Sequence, residues 1–81
     1  MRNELLKYRR LRDMREDSNL SQREIAEYLN INQNTYSRYE TSERNMPLEI
    51  IGRLADYYKT SVDYLMGRTD NPAPYERKRK K

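Results

Sequence analysis

The sequence predicts an all-α fold, a compact domain of five short helices with a helix-turn-helix at the second and third. Three observations predict it. Residues 20–40, LSQREIAEYLNINQNTYSRYE, hold two helix starts separated by a very short break. Three further segments carry apolar residues three and four apart, which is helical spacing. The chain has 81 residues, enough for one small domain that buries roughly 60% of its unfolded surface, so few apolar residues can be spared from the core.

Helix one is read over Asn3 to Asp17. Leu11 and Met14 face one way, and Leu5 or Tyr8 extends that stripe. Arg2, Arg9, Arg10, Arg12 and Arg15 surround it, mostly as a solvated charged face. Ser18 and Asn19 break the helix.

Helix two is read over Gln22 to Leu29. Ser21 takes the N-cap, and Glu24, three residues on, reaches back to its N–H. Leu20 and Ile25 pack across that cap as a hydrophobic staple. Ile25, Ala26 and Leu29 face the core, and the small Ala26 suits a close helix crossing. Only Asn30, Ile31 and Asn32 precede helix three, and Asn tolerates the left-handed conformation that ends a helix sharply. Helix three is read over Gln33 to Thr41, capped by Asn32 and stapled by Ile31 and Tyr36. Tyr36 and Tyr39 point inward. Gln33, Asn34, Ser37 and Arg38 point outward, polar and bunched toward the helix start. An exposed helix chosen for solubility alone would more often carry Glu and Lys, which form helix better than Asn or Ser.

Thr41 to Met46 is a polar loop containing Arg44. Helix four is read over Pro47 to Tyr58, with Pro47 in its first turn. Leu48, Ile51, Leu54, Ala55 and Tyr58 form its core face. Gly52 costs about 1 kcal/mol relative to Ala in mid-helix, which suggests close packing there. Ser61 caps helix five, Val62 to Met66, which turns Val62 and Leu65 inward and ends at Gly67. Ile50, Tyr57 and Tyr64 lie off the main stripe, either as a homodimer contact or as scattered surface aromatics. From Arg68 apolar periodicity stops, and Pro72 and Pro74 prevent a helix. The reading is a domain over 1–67 and a disordered basic tail over 68–81 that either adds loose attraction to phosphate or aids solubility.

Net charge is +4, and all of it lies in residues 68–81, where six basic residues meet two acidic ones. Residues 1–67 carry eleven of each sign. A nucleic-acid-binding body must then gather its positive charge on one face. With no Cys and no His, a zinc site and the commonest general base are both missing. No nucleophile–base pair or metal-ligand set is visible, so neither an enzyme nor a cofactor is expected. The opening residues, MRNELLKYRRLRD, are charged throughout and form no signal peptide. No apolar run approaches the roughly 20 residues of a membrane span, so a cytoplasmic location is expected.

The runs NLSQREIAEYLNINQNTYSRYE and PLEIIGRLADYYKTSVDYLMGRTD resemble the phage repressor and Cro-like helix-turn-helix family, also called the XRE family. The resemblance spans about residues 9–70. It is carried by L-S-Q-x-E-I-A in helix two, T-Y-S-R-Y-E in helix three and S-V-D-Y-L-M-G in helix five. It implies a lambda-repressor-like domain that places helix three in the major groove of double-stranded DNA and regulates transcription in a bacterium or its phage. By the same resemblance, Gln33 would pair with adenine, and Gln22 would contact phosphate and brace Gln33. Asn34, Ser37 and Arg38 would face bases or phosphates, and Thr41, Ser42 and Arg44 would grip the DNA backbone. Arg15 and Glu40 would form an internal structural ion pair. Family members often have Gly in the turn and after helix three. Here Asn30 and Ser42 stand there, and Ser42 suits the position less well.

A domain this small covers little DNA, so two copies on a palindromic operator are expected. No separate dimerisation domain is read in the chain. The homodimer would form weakly through the helix-five face, or only on DNA. The competing reading is a protein-interaction module of the same fold, such as a toxin-neutralising antitoxin.

Overall fold

The structure, a computed structural model, describes residues 7–74. Five helices follow in order: α1 (Leu11–Asp17), α2 (Gln22–Leu29), α3 (Gln33–Glu40), α4 (Leu48–Tyr57) and α5 (Val62–Leu65). No strand occurs among the described residues. All five pack around one core. Leu11, Ile25, Leu29, Tyr36, Leu54 and Leu65 are its most completely buried large side chains, so every helix contributes to it. Each such apolar side chain adds roughly 1.5–3 kcal/mol of burial free energy.

Local chemistry places the helix starts. At α2, Ser21 Oγ accepts from the Glu24 N–H and the Glu24 carboxylate accepts from the Ser21 N–H, closing the capping box. Asn32 caps α3 through the Asn34 N–H at 2.7 Å, and Ser61 caps α5 through the Tyr64 N–H at 3.0 Å. Asn30 adopts φ +60°, and the Ile31 N–H then reaches back to the Ala26 carbonyl at 3.0 Å. That six-residue back-bond closes α2 and turns the chain straight into α3. Gly67, at φ +77°, ends α5, and a Cβ there would run into the Arg9 side chain.

Several expectations are corrected. Helix one starts at Leu11, because residues 7–10 form a turn, and residues 1–6 lie outside the described residues. Tyr8 completes the apolar stripe from that turn, at 3% exposure. Thr41, Pro47 and Met66, placed inside helices by the sequence, instead flank α3, α4 and α5 as caps. Leu48 is not a core residue. It is 79% exposed, since it opens α4 one full turn before the buried Ile51. Gly52 is not closely packed, because a Cβ there would meet nothing within 4 Å.

Residues 68–74, placed in the tail by the sequence, hold defined contacts with the body. Arg10 donates to the Thr69 carbonyl at 2.7 Å and pairs with Asp70 at 2.6 Å, and its guanidinium lies 4.3 Å from the Tyr64 ring centre. The Thr60 hydroxyl donates to the Pro72 carbonyl at 2.6 Å. Residues 75–81 lie outside the described residues. Of the three off-stripe residues, Ile50 packs partly against the core and Tyr64 lies beneath Arg10. Tyr57 is the exposed one, with its ring 4.7 Å from that of Tyr28.

Candidate nucleic-acid interface

The last residue of α3, Glu40, is only 5% exposed. A carboxylate buried this deeply must be matched by donors or it destabilises the fold. Four donors converge on it. Arg15 Nε reaches Oε2 at 2.6 Å, and Arg15 Nη2 reaches Oε1 at 3.3 Å. The Tyr36 hydroxyl donates to Oε2 at 2.7 Å, and Gln22 Nε2 donates to Oε1 at 3.1 Å. Arg15 comes from α1, Gln22 from α2 and Tyr36 from α3, so one carboxylate sets three helices against each other. Arg15 also closes the approach to α2 by donating to the Leu20 carbonyl at 2.8 Å. The hydrogen bond that Arg15 donates to Glu40 raises the pKa of its guanidinium. Burial, and then the Glu40 charge, push the Tyr36 phenol well above its ordinary value.

The resemblance had Gln22 bracing Gln33. In the structure the Gln22 amide nitrogen donates to Glu40, because the buried Oε1 has only a long bond from Arg15 and takes a second donor.

With Tyr36, Tyr39 and Glu40 turned inward, the opposite edge of α3 faces outward. Gln33, Asn34 and Arg38 are exposed and Ser37 is half-buried. These positions stand three and four apart, with Thr41 next in the same row, so they share one edge. Exposed Thr41 donates its hydroxyl to the Arg38 carbonyl at 3.2 Å. The Arg44 N–H reaches the same carbonyl at 3.3 Å, which folds the loop back on the end of α3 and leaves the Arg44 side chain exposed. Ser42 takes the left-handed conformation, at φ +65°, that Gly would adopt freely. Its hydroxyl oxygen accepts from the Lys7 N–H at 2.7 Å.

Contacts from the turn before α1, not expected from the sequence, join this edge. Lys7 Nζ donates to Asn45 Oδ1 at 2.7 Å, and the buried Tyr8 hydroxyl accepts from the Met46 N–H at 2.7 Å. These partners lie 38 positions apart in the chain, so no local pattern announces them. The edge now carries Lys7, Arg38 and Arg44 against Glu43. Amides, hydroxyls and guanidinium groups in a row on a helix are the donors and acceptors that suit base edges and phosphates.

Residues 11–65 match the family model described as Helix-turn-helix. The chain belongs to the helix-turn-helix family. Within that family it is 39% identical over 65 residues to the uncharacterized HTH-type transcriptional regulator YobD of Bacillus subtilis (strain 168), covering 80% of this chain and 58% of that one. It is 36% identical over 62 residues to the HTH-type transcriptional regulator ImmR of the same organism, covering 76% and 49%. It is 30% identical over 61 residues to the cryptic phage CTXphi transcriptional repressor RstR of Vibrio cholerae, covering 75% and 55%. The helix-turn-helix chain thus spans about half the length of the curated relatives it matches. No solved structure gives a significant match. No described helix is long and apolar enough to cross a membrane. Among the described residues, no group of three or more acidic side chains could hold a metal ion.

Proposed function

We propose that this helix-turn-helix chain is a sequence-specific, double-stranded-DNA-binding transcriptional regulator that acts as a repressor by laying α3 in the major groove. The observation that carries this reading is the outward edge of α3, held rigidly by the Glu40 cluster behind it. Gln33 pairs with adenine N6 and N7, and Arg38 reads guanine or grips phosphate. A good bidentate pair discriminates by about 1–3 kcal/mol. Asn34 and Ser37 face the neighbouring bases. Gln22, Thr41, Ser42 and Arg44, with the free N–H groups at the start of α2, hold the backbone and set register. Two copies occupy half-sites about 34 Å apart on a palindromic operator, as a weak dimer or one formed on DNA. The similarity to the transcriptional regulators YobD and ImmR and to the repressor RstR supports regulation of transcription, and RstR supports repression.

The test is selection of bound duplexes from a random DNA pool. A palindrome should be enriched. Gln33→Ala should then lose preference for it while keeping its affinity for unrelated duplex. An unenriched pool would reject the DNA-reading function and favour a protein partner.

A further inference from the structure

The turn that opens at Lys7 is tied to the loop after α3 by three hydrogen bonds, and they divide into two kinds. The inner bond runs from the Met46 N–H to the Tyr8 hydroxyl, with Tyr8 3% and Met46 7% exposed. It satisfies a buried amide, and the packing of the core accounts for it. The outer pair is solvent-facing. The Lys7 N–H donates to Ser42 Oγ at 2.7 Å, and Lys7 Nζ donates to Asn45 Oδ1 at 2.7 Å.

A surface ammonium held by a neutral amide contributes little to stability, since water would serve it nearly as well. The arrangement has a second consequence. An ammonium carries three donors and no acceptor, and Asn45 takes only one of them. Since Lys7 can only donate, Asn45 must present its oxygen to it, and this orients the Asn45 NH2 group away from Lys7 with two donors of its own. The Tyr8 ring, 5.9 Å from Nζ, favours a cation at the same place. The same loop carries exposed Arg44 and the exposed Thr41 that caps α3. The one acidic side chain of the loop, Glu43, is exposed as well.

We propose that Lys7 is a DNA phosphate contact, carried onto the α3–α4 loop by Ser42 and Asn45, with the Asn45 amide as its partner at the same phosphodiester oxygen. The proposal rests on the DNA-binding reading above. Lys7 then supplies charge where the body, neutral over residues 1–67, has little to spare. It carries no base information, because a phosphate looks alike at every step.

The experiment measures affinity against salt concentration on one duplex that the full chain has selected, below the melting temperature of every variant. Lys7→Gln should lower the slope of log affinity on log salt by about 0.9, the loss of one neutralised phosphate, and leave sequence preference unchanged. Lys7→Arg should restore the slope. Gln33→Ala should show the converse, with lost preference and an intact slope. A wild-type slope in Lys7→Gln overturns the Lys7 assignment and leaves the DNA-binding reading standing. A loss of slope that Lys7→Arg shares also overturns it, since geometry and not charge would then be at work. A wild-type chain that binds no duplex overturns the DNA-binding reading, and the Lys7 assignment with it.

Discussion

Glu40 shows how one residue turns a helix surface into a site. Its carboxylate lies under α3 and binds none of the outward groups, yet it decides where they point. Arg15, Gln22 and Tyr36 reach it from three helices, so any shift of α3 against α2 stretches a charged hydrogen bond. Arg15→Ala would leave this carboxylate buried without its countercharge. Urea unfolding should show a loss of about 3–5 kcal/mol, the cost typical of breaking a buried pair from one side. A loss within experimental error would mean that Gln22 and Tyr36 satisfy Glu40 on their own. Gln22 gains a neighbour that the sequence did not name. The resemblance makes it a phosphate contact, and the fold also sets its amide nitrogen on the buried Oε1 of Glu40.

At the scale of the element, helix ends are well specified and helix faces less so. Ser21, Asn32 and Ser61 cap the helices they precede, because a cap needs only the side chain and the backbone two or three residues on. The faces of α4 depend on what lies opposite them. Leu48 fits the apolar stripe and still faces water at 79% exposure, while Ile51, three residues on, is buried. Gly52 sits in open space within the same helix. Gly52→Ala should therefore stabilise the domain by about 0.5–1 kcal/mol through reduced backbone freedom alone. A rise in thermal midpoint checks this, and a fall would show that the site is more crowded than the structure has it. Lys59 ends α4 at φ +57°, a conformation that Lys does not advertise. The Thr60 N–H bond to the Ala55 carbonyl at 2.8 Å helps to hold it there.

Two tyrosine phenols buried in the fold, Tyr36 and Tyr58, set the molecule's response to alkaline pH. Burial raises the pKa of Tyr36 first, followed by the charge of Glu40. Burial also raises that of Tyr58, followed by its neighbour Tyr57. In the unfolded chain both phenols ionise near pH 10. A pKa raised by folding contributes stability that is fully present below the unfolded value and is lost as pH climbs above it. Unfolding free energy should thus stay level for these groups from pH 7 to about 9 and decline beyond about pH 10. Tyr36→Phe should make that decline shallower. An identical decline in the variant would assign it to other groups.

The sequence by itself determined the five helices, the caps that start three of them, and the short Asn30 to Asn32 turn that makes α2 and α3 a unit. All of these rest on residues within a few positions of one another. The outward row on α3 was legible for the same reason, since helical spacing alone puts Gln33, Asn34, Ser37 and Arg38 on one edge. Only the tertiary structure decided that Leu48 is exposed, that Gln22 serves Glu40, that the first helix yields to a turn at residues 7–10, and that Lys7 reaches the loop after α3. Each of these turns on a neighbour distant in the chain or on the lack of one, and local periodicity carries no record of what packs opposite.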